Sequence, residues 1–214
     1  MKLFDAEWAP SPRRVRIFLA EKGIEVERVK VDINGREHLL PDYVSINPQR
    51  QMPALLLDDG TLIDDSFGIC RYFEALHPDP PMFGTTPKEI ALIESWLRRI
   101  EHDCFQAVAI AFRNKVSLFK DRAVSGQWPA IPQIPELVER GRIMWAAFMD
   151  VLERHLAGRD DPAWIAGDRF SMADIAAFVS VSFGIDTRLP DPRETHPAIG
   201  AWFARVAARP SVSA

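Results

Sequence analysis

The distribution of prolines constrains this chain more than any other feature of its sequence. Of 17 prolines in 214 residues, four lie between positions 78 and 87. Proline fixes φ and has no backbone N–H, so a dense proline cluster favours a boundary over a helix or strand. We therefore predict a first domain at residues 1–80, a linker at 81–87 and a second domain at 88–214.

The first 80 residues show alternating strand and helix patterns. Residues 3–6 and 26–32 are typical of strands, and residues 54–57 and 61–63 flank the turn Asp58-Asp59-Gly60 as a hairpin would. Helical patterns cover 15–20, which Gly23 can terminate, and 66–76. The predicted order is β-α-β-α-β-β-α, which implies an α/β domain whose sheet contains parallel strands covered by helices.

The second domain has only helical periodicity. Apolar residues recur at helical spacing in two stretches, the first with Ile90, Ile93, Leu97, Ile100 and Cys104, the second with Ile143, Ala147, Val151 and Leu152. Ser171 to Asp174 has the outline of a capping box, and the apolar residues 175–183 that follow predict a buried helix. We expect an all-α domain.

Composition excludes several function classes. The net charge is −4, and the excess of acidic residues lies entirely in residues 1–80, so a nucleic-acid partner is not expected. No run approaches the roughly 18 apolar residues of a membrane span. An acid at Asp5 and the lack of a following apolar run argue against a secretory signal. Cys70 and Cys104 stand far apart without a Cys-x-x-Cys motif, which predicts a reducing, cytoplasmic setting and no metal site.

Two turns that enter predicted helices could bind a ligand. Ser11 could be the N-cap of the first helix with Pro12 at its first position, either as a plain cap or as part of an anion site. Ser66 could cap the helix at 66–76 while its hydroxyl and N–H bind a carboxylate, with Asp65 binding an ammonium group. That pair suits the α-amino acid end of a ligand.

Two further positions, Pro53 and His38, do not by themselves indicate a ligand-binding site. Pro53 stands directly before a strand, where a cis Met52–Pro53 bond would turn the Met52 backbone outward toward an extended, peptide-like ligand. A lone histidine such as His38 is by itself more typical of a solvated loop than of a ligand-binding position.

Together these residues resemble the cytosolic glutathione S-transferase family, with bacterial, theta-like and zeta-like features. The resemblance covers the first helix at 11–24, the loop from Asn47-Pro48 to Met52-Pro53, the pair Asp65-Ser66, and the segments 167–174 and 209–211. It implies a thioredoxin-like first domain joined to an all-helical second domain, a homodimer, and a cytoplasmic enzyme that conjugates glutathione to a small apolar electrophile. Glutathione would be a co-substrate, with no metal or other cofactor.

The resemblance also assigns roles to individual residues. Ser66 and Asp65 would bind the γ-glutamyl end of glutathione, the backbone of Met52 before Pro53 would pair with its cysteinyl part, and Gln51 and His38 would reach its glycyl end. Aromatic residues of the second domain would line the electrophile site, the candidates being Trp96, Phe105, Phe112 and Phe119.

One position departs from the family pattern. Where the resemblance places a serine or cysteine facing the glutathione sulfur, this chain has Ala9. Ser11 could replace that hydroxyl, or the helix N-terminus could stabilise the thiolate through backbone N–H groups. Alternatively, the protein is a glutathione-binding or protein-interaction module with little transferase activity. A further alternative is a glutathione-dependent isomerase like maleylacetoacetate isomerase, although the zeta-class Ser-Ser-Cys triplet is here Ala9-Pro10-Ser11.

Overall fold

A computed structural model describes residues 1–159 and 164–214. The chain forms two compact units. The first comprises Met1–Pro80, Ser125–Pro129 and Ser213–Ala214, and the second comprises Pro81–Val124 and Ala130–Val212. Residues 81–87 therefore group with the second unit, and no pattern in the sequence predicts that residues 125–129 group with the first.

The first unit is a four-stranded mixed sheet with helices, in the predicted order. Its sheet order is β2-β1-β3-β4, with β2 parallel to β1 and the other neighbouring pairs antiparallel. The elements are β1 (Lys2–Asp5), α1 (Pro10–Lys22), β2 (Glu27–Lys30), α2 (Pro41–Ile46), β3 (Ala54–Leu56), β4 (Leu62–Ile63) and α3 (Ser66–Leu76).

Apolar burial fixes α1 against the rest of this unit. Val15, Ile17 and Phe18 of α1 are fully buried, and the helix ends at Gly23, whose φ of 64° is in the left-handed region that glycine adopts without a steric penalty. This C-terminus agrees with the sequence prediction.

The second unit is helical. Its helices are α4 (Pro87–Arg99), α5 (Gln106–Lys115), α6 (Glu136–Ala157), α7 (Met172–Asp186) and α8 (Pro197–Ala207), and a π-helical stretch, Ile100–Phe105, joins α4 to α5. No helix among the described residues is long and apolar enough to cross a membrane.

The buried face of α6 differs from the predicted one. Of the predicted stripe, Ile143 is 62% exposed and Ala147 is exposed, whereas Leu152 is buried as predicted. The side chains that pack inward are Trp145, Phe148, Met149, Leu152 and Leu156. Both stripes have helical spacing, but the larger aromatic surfaces lie on the second stripe. Burying that stripe removes more apolar area from water, so it faces the core.

The capping box at the start of α7 is present as predicted, and α7 is buried along nearly its whole length. The carboxylate of Asp174 is itself fully buried and accepts hydrogen bonds from Ile165 N, Ser171 N, Ser171 Oγ and Trp202 Nε1, at 2.9–3.2 Å. Burial raises the pKa of Asp174 to about 6, against the opposing effect of these donors. One side chain thus joins the helix start to the segment before it and to α8.

A half-buried histidine on α6 predicts a pH effect on stability. The ring of His155 stacks on Trp96 with centroids 4.2 Å apart, and burial lowers its pKa below 6.5. The unfolded chain therefore binds a proton here more readily than the folded protein, so the stability contributed by neutral His155 is present above pH 6.5 and is lost as the pH falls. Urea unfolding between about pH 7.5 and 5.5 should show a shallower decline for His155→Gln than for the wild type. Equal slopes would contradict this assignment, and because both proteins retain Asp174, its titration cancels in the comparison.

Candidate active site

Helix α1 begins two residues earlier than the sequence suggested. Ala9 is the N-cap, with extended backbone (φ −76°, ψ 137°) and no side-chain cap, and Pro10 is the first helical residue. The prediction that Ser11 caps the helix with Pro12 at its first position is therefore wrong. Both prolines fit the first turn, where a missing N–H costs no intrahelical bond, and the helix begins at the earlier one, Pro10.

This start leaves the first turn of α1 with few free donors. The first four N–H groups of a helix have no partner within it, but Pro10 and Pro12 carry no N–H, and Ala9 N donates to Ala6 O at 3.1 Å. Ser11 thus supplies the free backbone N–H of this turn. Its half-buried hydroxyl also makes no hydrogen bond to any residue that the structure describes. Within the described residues, Ser11 therefore offers an anion both a backbone N–H and a hydroxyl in the first turn of α1.

A buried arginine holds the turn that carries Ala9 and Ser11. The Arg16 guanidinium donates from Nη1 to Asp5 Oδ1 and from Nη2 to Glu7 O, both at 2.7 Å. Asp5 ends β1 and Arg16 lies on α1, so this ion pair closes the β1–α1 turn.

The start of α3 presents an acceptor and donors side by side. Asp65, not Ser66, is the N-cap: its Oδ1 accepts hydrogen bonds from Phe67 N and Gly68 N at 2.9 Å. The predicted capping role of Ser66 is wrong, because the carboxylate one residue earlier already occupies the cap. Ser66 is the first helical residue, 4% exposed, and its hydroxyl has no hydrogen-bond partner among the described residues; the same holds for Asp65 Oδ2.

The loop between α2 and β3 is built around a buried asparagine. Asn47 is fully buried; its Nδ2 donates to Gln51 O at 3.0 Å, and its Oδ1 accepts from Gln49 N at 2.9 Å. The Met52–Pro53 peptide bond that follows is cis, as hypothesised from the sequence.

A tyrosine on α2 fixes the same carbonyl. Tyr43 Oη donates to Gln51 O at 2.5 Å, and burial raises the pKa of Tyr43 to about 12, so the phenol remains a donor at neutral pH. Asn47 and Tyr43 could not be identified as positioning residues from the sequence, because the hydrogen bond that gives each its role joins residues only in the folded chain.

His38 is a buried residue. It lies in the short 3-10 turn Glu37–Leu39 and is only 6% exposed. The solvated-loop interpretation of this histidine is therefore wrong, and its burial leaves the position compatible with a ligand-binding role.

Comparison with known proteins places these features in a family. The profiles "Glutathione S-transferase, N-terminal domain" and "Glutathione S-transferase, C-terminal domain" match residues 8–76 and 135–205. Glutathione S-transferase 2 of Saccharomyces cerevisiae is 34% identical over 99% of this chain and 88% of its own length. The chain belongs to the glutathione S-transferase family. The crystal structure of a glutathione S-transferase domain-containing protein from Marinobacter aquaeolei superposes with a TM-score of 0.87 at 36% identity, covering 99% of this chain and all of the other. The predicted fold class is thereby confirmed: a thioredoxin-like first domain and a helical second one.

Part of this glutathione S-transferase family member is also similar in sequence to an isomerase. Maleylacetoacetate isomerase of Pseudomonas aeruginosa is 38% identical over 89 residues, which is 41% of this chain and 42% of the isomerase.

The four aromatic candidates for the electrophile site fall into two groups within the helical unit of this glutathione S-transferase. Phe105 and Phe112 both contact Phe183, with ring centroids 5.8 and 5.5 Å apart, and Phe112 also contacts Phe119 at 5.2 Å. Trp96 packs instead on His155 and is a core residue. Phe183 was not among the candidates because it ends the run 175–183 that was predicted to form a buried helix.

One aromatic residue of the first unit was missed. Trp8 directly precedes Ala9 and is 48% exposed. This exposure could not be read from the sequence.

Proposed function

We propose that this protein is a glutathione transferase, in which the thiolate of glutathione attacks a small apolar electrophile. The observation that carries the proposal is the first turn of α1, where Ser11 offers a hydroxyl and a backbone N–H that have no partner within residues 1–159 and 164–214. These donors replace the hydroxyl that the family pattern would have at Ala9.

The reaction needs only proton transfer and substitution or addition. The thiol of bound glutathione loses its proton to solvent, the sulfur lone pair forms a bond to the electrophilic carbon, and a leaving group departs with its electron pair or a conjugated double bond accepts the pair. The hydrogen bond from Ser11 to the sulfur stabilises the thiolate. A hydrogen bond to a charged group is worth about 1.5–3 kcal/mol, or roughly one to two pKa units on a thiol that starts near 8.5.

The start of α3 and the loop before β3 would hold the tripeptide. The Ser66 hydroxyl and N–H would donate to the γ-glutamyl carboxylate, and Asp65 Oδ2, which is not used in capping the helix, would accept from its ammonium group. The Met52 backbone would pair with the cysteinyl part, next to Pro53. Gln51 and His38 would serve the glycyl end.

The oligomeric state, the co-substrate and the kind of electrophile are proposed from the family resemblance. We propose a cytoplasmic homodimer that uses glutathione as co-substrate and requires no metal. Phe105, Phe112 and Phe119 of the second unit are the aromatic side chains that suit an apolar electrophile.

The partial similarity to maleylacetoacetate isomerase supports a second candidate. In such an isomerase the thiolate adds to a conjugated double bond, the resulting single bond rotates, and glutathione is eliminated unchanged. Two incubations distinguish these candidates. Isomerisation of maleylacetoacetate without net consumption of glutathione would favour the isomerase. Stoichiometric loss of the glutathione thiol with an aryl halide would support the transferase.

Calorimetric titration with glutathione tests binding. The wild type should bind in the millimolar range or tighter, and Ser66→Ala should weaken binding by about tenfold or more, because it removes a hydrogen bond to a carboxylate. Ser45→Ala is the matched control, since Ser45 is exposed and its hydroxyl is satisfied by Asp42 O at 2.7 Å. Absence of binding heat in the wild type at millimolar glutathione would overturn the proposal. Binding without turnover of aryl halides or peroxides would assign the protein instead as a glutathione-binding module.

A further inference from the structure

Residues 125–129, called segment 125–129 below, place the hydroxyl of Ser125 beside Gln51 in the loop between α2 and β3. The segment belongs to the first compact unit although it follows Pro80 by more than 40 residues. Gln51 Nε2 donates a hydrogen bond to Ser125 Oγ at 3.3 Å, and Ser125 is exposed. The exposed hydroxyl is therefore both fixed beside Gln51 and open to a ligand.

The close approach depends on a glycine. Gly126 has a φ of 111°, and a Cβ at this position would lie 3.1 Å from Gln51 Nε2 and 3.0 Å from Trp128 Nε1. Trp128 Nε1 donates to Ser125 O at 2.8 Å, which closes the segment into a tight turn. Segment 125–129 is thus held in a defined conformation, with the Trp128 ring 61% exposed at its outer side.

The donors of Gln51 and Ser125 bind no anionic side chain among the residues that the structure describes. Gln51 Nε2 has a second N–H, and Ser125 Oγ accepts the Gln51 bond while its own hydrogen has no partner among the described residues. Arg50, the preceding residue in the sequence, has its Nε buried with no hydrogen-bond partner among the described residues. The adjacent N–H of Gln51 and O–H of Ser125 are by themselves suited to a carboxylate.

We propose that Ser125 is a second donor to the glycyl carboxylate of glutathione, acting together with Gln51, and that Trp128 forms the outer wall of this subsite. The proposal rests on the glutathione binding proposed above and adds a binding residue outside the first 80 residues. The main-chain carbonyl of Gln51, held by Tyr43 and Asn47, keeps the residue in position. Ser125 and Gln51 would then discriminate between glutathione and a ligand that lacks the glycine.

Parallel titrations with glutathione and with γ-glutamylcysteine, which has no glycyl residue, test this inference. Ser125→Ala should weaken glutathione binding by about tenfold, the effect of one hydrogen bond to a charged group, and leave the affinity for γ-glutamylcysteine unchanged. Ser125→Thr, which keeps the hydroxyl, should retain most of the glutathione affinity. Ser45→Ala should change neither affinity.

The outcomes separate this inference from the function on which it rests. An equal loss of affinity for both ligands in Ser125→Ala would show that Ser125 only supports the loop, and would overturn the proposed contact; so would unchanged affinity for both. No binding of either ligand by the wild type would overturn the proposed function and this inference with it. A loss confined to glutathione is the result that supports the subsite.

Discussion

Replacing Asp174 by alanine is expected to lower the free energy of unfolding by about 3–5 kcal/mol, because buried donors left without an acceptor cost about 1–3 kcal/mol each and the site relaxes only in part. The carboxylate accepts from Ile165, Ser171 and Trp202 in a region with no access to water. Alanine leaves all of these donors unpaired at once and also removes half of the capping box of α7. Urea unfolding followed by tryptophan fluorescence measures the loss.

Asp186→Ala is the matched control on the same helix. Asp186 is the last residue of α7 and is exposed. An acid at a helix C-terminus interacts unfavourably with the helix dipole, so its removal should leave stability unchanged or slightly higher. A loss of less than about 1 kcal/mol in Asp174→Ala, within the range of ordinary surface substitutions, would show that water or a local rearrangement satisfies the donors.

The largest effect on activity is expected from Ser11→Ala. Removing a hydrogen bond worth about 1.5–3 kcal/mol to the thiolate should reduce kcat/KM for an aryl halide by roughly 10- to 100-fold at neutral pH. Glutathione affinity should change much less, because Ser66 and Asp65 bind the opposite end of the tripeptide in the proposed complex. Steady-state kinetics together with calorimetric titration separate the two quantities.

A compensating substitution makes the Ser11 prediction sharper. The double variant Ala9→Ser with Ser11→Ala returns a hydroxyl to the position where the family pattern has it, and should recover part of the lost rate. Ser45→Ala again serves as the control. Unchanged kcat/KM in Ser11→Ala would assign thiolate stabilisation to the Ser11 backbone N–H, which alanine keeps.

Local patterns in the sequence predicted most of the fold. The element order of the first unit, the end of α1 at Gly23 and the capping box at Ser171 all depend on residues within a few positions of one another. The errors arose where two neighbouring residues competed for one local role. Asp65 rather than Ser66 caps α3, and Pro10 rather than Pro12 begins α1, because each motif contains two residues capable of the same function.

The candidate site was only partly predictable for a different reason. Some of its residues are brought together by contacts between distant parts of the chain. Ser125, for example, lies more than 70 residues beyond its hydrogen-bond partner Gln51. The burial of His38 also depends on packing that no local sequence pattern encodes. Likewise, the choice of the buried stripe on α6 depends on what packs against it, so Ile143 looked like a core residue and is exposed. The family resemblance indicated the roles of Ser66 and Asp65. The structure shows which of their atoms, the Ser66 hydroxyl and Asp65 Oδ2, have no partner among the described residues.

The pKa of the thiol of bound glutathione tests the central claim most directly. It is measured from the ultraviolet absorbance of the thiolate as a function of pH, for glutathione in complex with the wild type and with Ser11→Ala. We predict that the wild type lowers the thiol pKa by roughly one to two units relative to free glutathione, and that Ser11→Ala returns it most of the way to the free value. A bound pKa in the wild type equal to that of free glutathione would contradict the claim that this glutathione S-transferase family member activates the thiol through Ser11.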